Sequence, residues 1–188
     1  MKAIVALGNP GDRYRDTRHN VGWWLAERLR AAWSFPAFHA RDATRTSEGR
    51  RGERTVRIVE PLTYVNLSGR VVRDLMVETG LSPAEDLLVL VDDVSLPPGA
   101  LRLRAGGSSG GHNGLASIEE AVGTREYARL RIGVGRPHDD RIDLAEWVLA
   151  PLPGPEEESV LETFPRAIEA VDCWLVEGVE AAMSRHNG

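Results

Sequence analysis

The apolar and polar positions along this chain fall into short runs of two periods. Residues 3–7 read as a short buried strand that stops at Gly8-Asn9-Pro10-Gly11, a turn signal. Val21, Trp24, Leu25, Leu29 and Ala32 recur at helical spacing, and Asn20 stands where an N-cap belongs. Residues 41–57 are polar and arginine-rich (Arg41, Arg45, Arg50, Arg51, Arg54, Arg57), which predicts a mobile hairpin or loop running into a strand at 55–60. A second helix is expected to begin near Asn66 and to turn Val71, Val72, Leu75 and Met76 inward. Residues 87–91 are an unbroken apolar run, as a central strand covered on both faces requires, and they end at Asp92-Asp93. Pro97-Pro98-Gly99 makes a turn, and residues 101–104 alternate as a short strand. A glycine-rich loop over 106–114 leads into a helix ending near Val122. Residues 129–134 alternate again, with Leu130, Ile132 and Val134 on one face. An acidic, amphipathic helical stretch closes the chain from about Glu156, and Pro165 should break or kink it.

Strands alternating with helices predict an α/β fold. Over residues 1–188 the expectation is a single-domain, three-layer sandwich. A mostly parallel central sheet is flanked by helices, one of them C-terminal.

Composition changes this picture little. Hydrophobic residues are 42% and charged residues 27% of the chain, ordinary for a soluble globular protein. The one cysteine, Cys173, excludes an internal disulfide framework and a cysteine-rich zinc site; beside Trp174 it reads as a packing residue. The apolar run at 3–7 is too short for a signal-peptide core or a membrane span, so the cytoplasm is the expected compartment.

Charge adds more. The net charge is -5, but residues 1–136 carry 20 basic and 16 acidic side chains, whereas the remainder carries 3 and 12. A generic nucleic-acid sponge is therefore disfavoured, while a local basic footprint is not. Every basic residue except Lys2 is arginine. Arginine can clamp phosphates bidentately, but the bias reads first as compositional.

Functional groups gather where the apolar strands stop, the edge at which open α/β sheets bind ligands. His19 lies just before a predicted helix N-terminus, whose dipole disfavours imidazolium, and a neutral imidazole is what a general base needs. Asp92 can fix its tautomer; taken alone, His19 reads first as a helix-entry residue making a structural hydrogen bond. Asp93 reads as a solvated turn residue. The five histidines show no close metal-ligand spacing, so no metal is expected.

The glycine loop has three readings. Gly106 to Gly111 matches half of a phosphate-binding P-loop, but His112-Asn113 stands where Lys-Ser/Thr is needed. Gly106–Gly110 also fits G-x-S-x-G with Ser108 as nucleophile, a pattern that glycine-serine runs meet by chance. The third reading is a loop that lets a substrate backbone or phosphate come close, with Asn113 presenting its amide at the helix start. Arg102 and Arg104 leave one strand face together, and Arg131 adds to them; the cluster serves a phosphate or a solvated sheet face. The tryptophans at 23, 24, 33, 147 and 174 read as packing, not as a stacking stripe.

Five blocks then carry a resemblance. They are Leu7-Gly-Asn-Pro-Gly11 with Tyr14 and Thr17-Arg-His-Asn20; Pro61-Leu-Thr-Tyr-Val-Asn-Leu-Ser-Gly69; Asp92-Asp through Leu96-Pro-Pro-Gly99; Gly106-Gly-Ser-Ser-Gly-Gly-His-Asn-Gly-Leu115; and Arg129-Leu-Arg-Ile-Gly-Val-Gly-Arg-Pro137. In this order and spacing the chain resembles the bacterial peptidyl-tRNA hydrolase family, densely over residues 3–137 and more loosely beyond.

The resemblance implies a monomeric, metal- and cofactor-free enzyme with no obligate protein partner. Such an enzyme cleaves the ester between a peptide and the 3′ ribose of tRNA and so recycles tRNA dropped by stalled ribosomes. It implies that His19 is the general base and that Asp92 orients it. It implies that Asn9, Tyr14, Asn20, Tyr64, Asn66, Gly111, His112 and Asn113 form the substrate site, and that Arg102, Arg104 and Arg131 grip tRNA phosphate. Val65 stands where the family usually has Met, which should alter packing and not chemistry. Ser95 stands where an acid is common, with little consequence expected. Two other readings stay open: a non-catalytic RNA-binding relative, and a serine esterase using Ser108.

Overall fold

The computed structural model describes residues 1–187. Seven strands form one mixed sheet: β1 (Lys2–Ala6), β2 (His39–Arg41), β3 (Thr44–Arg51), β4 (Arg54–Pro61), β5 (Leu87–Asp93), β6 (Leu101–Arg104) and β7 (Ala128–Gly133). Their order is β2-β3-β4-β1-β5-β7-β6. The four central strands β4, β1, β5 and β7 run parallel. The outer strands β2, β3 and β6 are antiparallel to their neighbours, so the sheet is less uniformly parallel than predicted. Residues 41–57 are accordingly no loose loop. Thr44 through Arg51 pair residue by residue with Pro61 back to Arg54.

The alternation seen in the sequence sorts the core into two layers. Ile4, Ala6, Leu88, Leu90, Leu130 and Ile132 face α1 (Val21–Ala32) and the C-terminal helices. Ala3, Val5, Leu7, Leu87, Val89 and Val91 face α2 (Ser68–Thr79) and α4 (Asn113–Val122), where Val71, Val72, Leu75, Leu115 and Ile118 meet them. All seven residues of β5 are buried, as a strand covered on both faces must be. Each large aliphatic side chain buried in this way contributes about 1.5–3 kcal/mol relative to exposure.

Short helices α3 (Pro83–Asp86) and α5 (Leu144–Val148) complete the connections. The closing helical stretch is three helices: α6 (Gly154–Glu162), α7 (Phe164–Glu177) and α8 (Val179–His186). Pro165 lies in the first turn of α7, where its missing N–H costs nothing, and the chain breaks just before it. Helix α1 runs to Ala32, the last residue of its pattern, but Ala32 is exposed, and Trp33 just beyond it fills the core instead. No helix among the described residues is long and apolar enough to cross a membrane.

From β1 the chain crosses to β4 by way of α1 and returns past β1 to β5 by way of α2. This reversal opens a crevice at the carboxyl ends of the central strands. Asn9 follows β1, Tyr64 and Asn66 follow β4, and Asp92 is the last residue but one of β5.

Candidate active site

The polar cluster at that edge is built from three loops and one strand end. His19 sits in a 3-10 turn, Arg18–Asn20, that runs directly into α1. Glycine is required at position 22 for the turn to reach the strands: a Cβ there would stand 2.8 Å from the carbonyl oxygens of Leu7 and Leu90. The turn is buried, and so is Asp92.

His19 Nδ1 lies 2.8 Å from Asp92 Oδ1. His112 Nε2 lies 2.8 Å from the same oxygen. His112 is also the N-cap of α4, its Nδ1 accepting from the backbone N–H groups of Gly114 and Leu115. That occupied lone pair fixes its tautomer: the proton is on Nε2, which donates to Asp92. Both nitrogens of His112 are thus engaged within the protein. With Nδ1–H of His19 donating to Asp92, His19 Nε2 is left as the basic nitrogen.

The electrostatics follow. Burial pulls the His19 pKa down, but the charge of Asp92 and its hydrogen bond outweigh burial, and the pKa lies above the ordinary 6.5. The helix-dipole argument had suggested the opposite sign; a carboxylate in contact wins over a partial charge. Burial pushes Asp92 upward, yet the two histidines hold its carboxyl well below the usual range.

The ligand atoms of His19, Asp92 and His112 lie within 4.8 Å of one another, a cluster that linear spacing did not reveal. As bonded, it is a hydrogen-bond relay. His112 Nε2 carries a proton and offers a cation no lone pair.

The asparagines divide into two kinds. Asn20 does not cap α1 with its side chain. It brackets Asn9 instead, accepting from Asn9 N–H at 2.9 Å and donating to Asn9 C=O at 3.0 Å. Asn9 Oδ1 accepts from Val65 N–H at 2.9 Å, which orients the Asn9 amide and points to Nδ2 as the free donor. Val65 is therefore both core residue and backbone anchor. Asn66 and Asn113 are exposed, Asn66 just before α2 and Asn113 as the first residue of α4, with exposed Gly111 just before the cap. Tyr14 and Tyr64 meet edge to face, ring centres 6.4 Å apart, and Tyr64 is 57% exposed.

Arg102 and Arg131 are directly opposed across β6 and β7, and Arg104 lies two residues along the same face. Arg131 is tied to Asp93 at 2.5 Å. Asp93 is consequently not the solvated turn residue expected: it is buried, and it accepts from Ser95 N–H and Oγ–H. Ser108, the alternative nucleophile, is exposed, and its hydroxyl has no hydrogen-bond partner among the described residues.

Sequence reasoning missed Arg18. Its guanidinium is 2% exposed, stacks on Trp147 at 3.5 Å, and donates to the carbonyls of Trp147, Ala150 and Pro151 and to Glu156. It ties the His19 turn to the segment around α5. Its only sequence signal was its place beside His19.

Known proteins resemble this chain along nearly its whole length. The sequence model of the peptidyl-tRNA hydrolase family matches residues 3–188. Proteins named peptidyl-tRNA hydrolase from Gemmatimonas aurantiaca and Symbiobacterium thermophilum are 46% and 47% identical to this chain. Those matches cover 98% and 99% of it and 98% of each relative. The crystal structure of peptidyl-tRNA hydrolase from Acinetobacter baumannii, 32% identical, superposes with a TM-score of 0.92, covering 100% of this chain and 95% of that one. With sequence and fold matched from end to end, this chain belongs to the peptidyl-tRNA hydrolase family.

Proposed function

We propose that this enzyme hydrolyses the ester between the peptide and the 3′ ribose of peptidyl-tRNA, with His19 as general base. The observation that carries the reading is the orientation of His19. Its Nδ1 is held by buried Asp92 at 2.8 Å, which leaves Nε2 to take a proton from water. The water oxygen attacks the ester carbonyl as its proton passes to Nε2. The tetrahedral intermediate then expels the ribose 3′ oxygen, which takes the proton back from the imidazolium. Asp92 stabilises that imidazolium while it exists.

The amides of Asn9, Asn66 and Asn113 supply donors for the developing oxyanion and both donors and acceptors for a peptide backbone. They ignore side chains, as suits an enzyme acting on arbitrary peptides. Tyr14 and Tyr64 offer ring surface to the terminal nucleotide. Arg102, Arg104 and Arg131 offer phosphate contacts, which hold tRNA without reading its sequence. No metal or protein partner enters this scheme, and the product is tRNA returned to use.

The test is release of N-acetyl-amino acid from N-acetyl-aminoacyl-tRNA in the presence of EDTA. His19→Ala should lose on the order of 10²–10⁴-fold in turnover, and Ser108→Ala should retain it. Binding of tRNA without turnover by the wild-type chain would overturn the reading and leave an RNA-binding relative. Loss of activity in Ser108→Ala would point to the serine esterase.

A further inference from the structure

Beneath the glycine-rich loop lies a buried cation that the scheme above does not use. Arg129, on β7, is 2% exposed. Its Nη1 donates to Ser108 C=O and its Nη2 to Arg125 C=O, each at 3.1 Å. The nearest carboxylate, Glu119 on α4, stands 3.8 Å from Nη1, outside hydrogen-bond distance. Among the described residues, Arg129 Nε and Glu119 Oε1 are buried without hydrogen-bond partners. A buried arginine beside a carboxylate ordinarily forms a bidentate pair with it. Here the fork instead spans the loop and the turn after α4.

The loop needs such a hold. Gly107, Gly110 and Gly111 have φ of +126°, +59° and +86°, conformations that glycine alone adopts freely and loses most entropy in fixing. A line of bonds leads from Arg129 to the site. Arg129 fixes the Ser108 carbonyl; the next carbonyl, Ser109, accepts from His112 N–H at 3.0 Å; and the His112 ring donates to Asp92. Asn113 follows directly.

We infer that Arg129 is a positioning residue, which clasps the glycine-rich loop and thereby sets His112 against Asp92 and Asn113 at the crevice. The inference deepens the hydrolase reading and rests on it. Because the clasp acts on groups that serve the transition state, its loss should lower kcat and leave KM and tRNA affinity nearly unchanged.

The experiment compares wild type, Arg129→Lys, Arg129→Met and His112→Ala, alone and combined. It reads single-turnover hydrolysis of N-acetyl-aminoacyl-tRNA, affinity for deacylated tRNA, and amide hydrogen exchange. In Arg129→Met, Glu119 keeps its other partner, Arg125, at 3.3 Å, so its carboxylate is not stranded. Expected are an approximately tenfold or greater fall in kcat, faster exchange confined to residues 107–112, and partial rescue by lysine, which restores one donor of the fork. In the His112→Ala background the Arg129→Met penalty should shrink, since both act through one element.

An unchanged kcat, unchanged loop exchange, or fully additive penalties would overturn the inference. So would a selective loss of tRNA affinity, which would make Arg129 a phosphate contact. If Arg129→Met does not fold, Arg129→Lys carries the same readouts. If wild type itself fails to hydrolyse substrate, the functional reading falls, while loop exchange still reports on the clasp.

Discussion

Replacing Asp92 with asparagine separates charge from geometry at this site. Asparagine keeps one oxygen that can accept from both His19 Nδ1–H and His112 Nε2–H. His112 favours that orientation, because the Gly114 and Leu115 amides occupy its Nδ1 and oblige its Nε2 to donate. His19 therefore keeps its productive tautomer, and what is lost is the negative charge opposite a developing imidazolium. Two unit charges centred about 4 Å apart interact by about 4 kcal/mol at an effective dielectric constant near 20. That is a factor of about 10³ in rate. A sign also follows. In the wild type, Asp92 outweighs burial and raises the His19 pKa. With asparagine, burial acts alone and the pKa falls below 6.5. The rising limb of kcat/KM should move to lower pH, so the deficit is greatest on the alkaline plateau and narrows toward acid. Single-turnover release of N-acetyl-amino acid across a pH series measures both effects. A rate within tenfold of wild type on the plateau, or a limb that stays in place or moves upward, would refute the reasoning. Adding His112→Ala should cost still more, because the amide is then free to turn its NH₂ toward His19.

Three further outcomes follow from the same structure. Glu60 is fully buried; among the described residues its Oε1 is unpartnered and only Arg45 meets Oε2, and burial, opposed by Arg45, raises its pKa to about 7. The folded state thus holds this proton more tightly than the unfolded chain. The stability it contributes is full below about 4.5 and is lost as pH rises through about 7. Glu60→Gln should flatten that decline in urea melts, and an unchanged pH slope would falsify the assignment. Arg18→Met removes the cation stacked on Trp147, the side-chain donor to the Pro151 carbonyl and the partner of the 35%-exposed Glu156, while the Trp147 and Ala150 carbonyls keep backbone donors. It should cost about 1–3 kcal/mol; a loss under about 0.5 kcal/mol in the same melts, the range of a surface substitution, would contradict the buried role. Among the described residues Arg102 and Arg104 form no ion pair, whereas Arg131 is held by Asp93. In a salt titration of tRNA affinity, Arg104→Ala should reduce the log–log slope by about one, and Arg131→Ala by less. Equal reductions would show that Asp93 does not neutralise Arg131.

The architecture was legible where one physical cause acts alone. Side chains alternate along 87–91 because a strand has period two, and the structure sends Leu88 and Leu90 to one layer and Leu87, Val89 and Val91 to the other. Pro165 had to interrupt a helix and does. Reading failed where a partner distant in sequence decides. The arginine-rich stretch at 41–57 is too polar to announce a strand, yet backbone pairing with β4 orders it. Asn20 stands at the helix entry as its type suggests, but its side chain is spent on the Asn9 backbone. Asp93 is buried because β5 and β7 pair and bring Arg131 beside it. For Arg18 the acceptors lie 129 to 138 residues away, and nothing local signals them.

The site itself was legible as a set of residues and not as a circuit. Residue types name who can donate and who can accept; only the fold decides whose lone pair is already spent. His112 shows the difference. As a residue near a glycine loop it is one more polar group for substrate. As the cap of α4, with Nδ1 taken, it becomes an obligatory Nε2–H donor to Asp92. Asp92 then carries two N–H donors on one oxygen, and both favour its ionised form. An ionised Asp92 in turn keeps the His19 proton on Nδ1 and leaves Nε2 basic. A helix cap at residue 112 and the basicity of residue 19 are therefore one problem in proton placement. A change at the cap should be felt in the pH profile of hydrolysis even though it leaves His19 untouched.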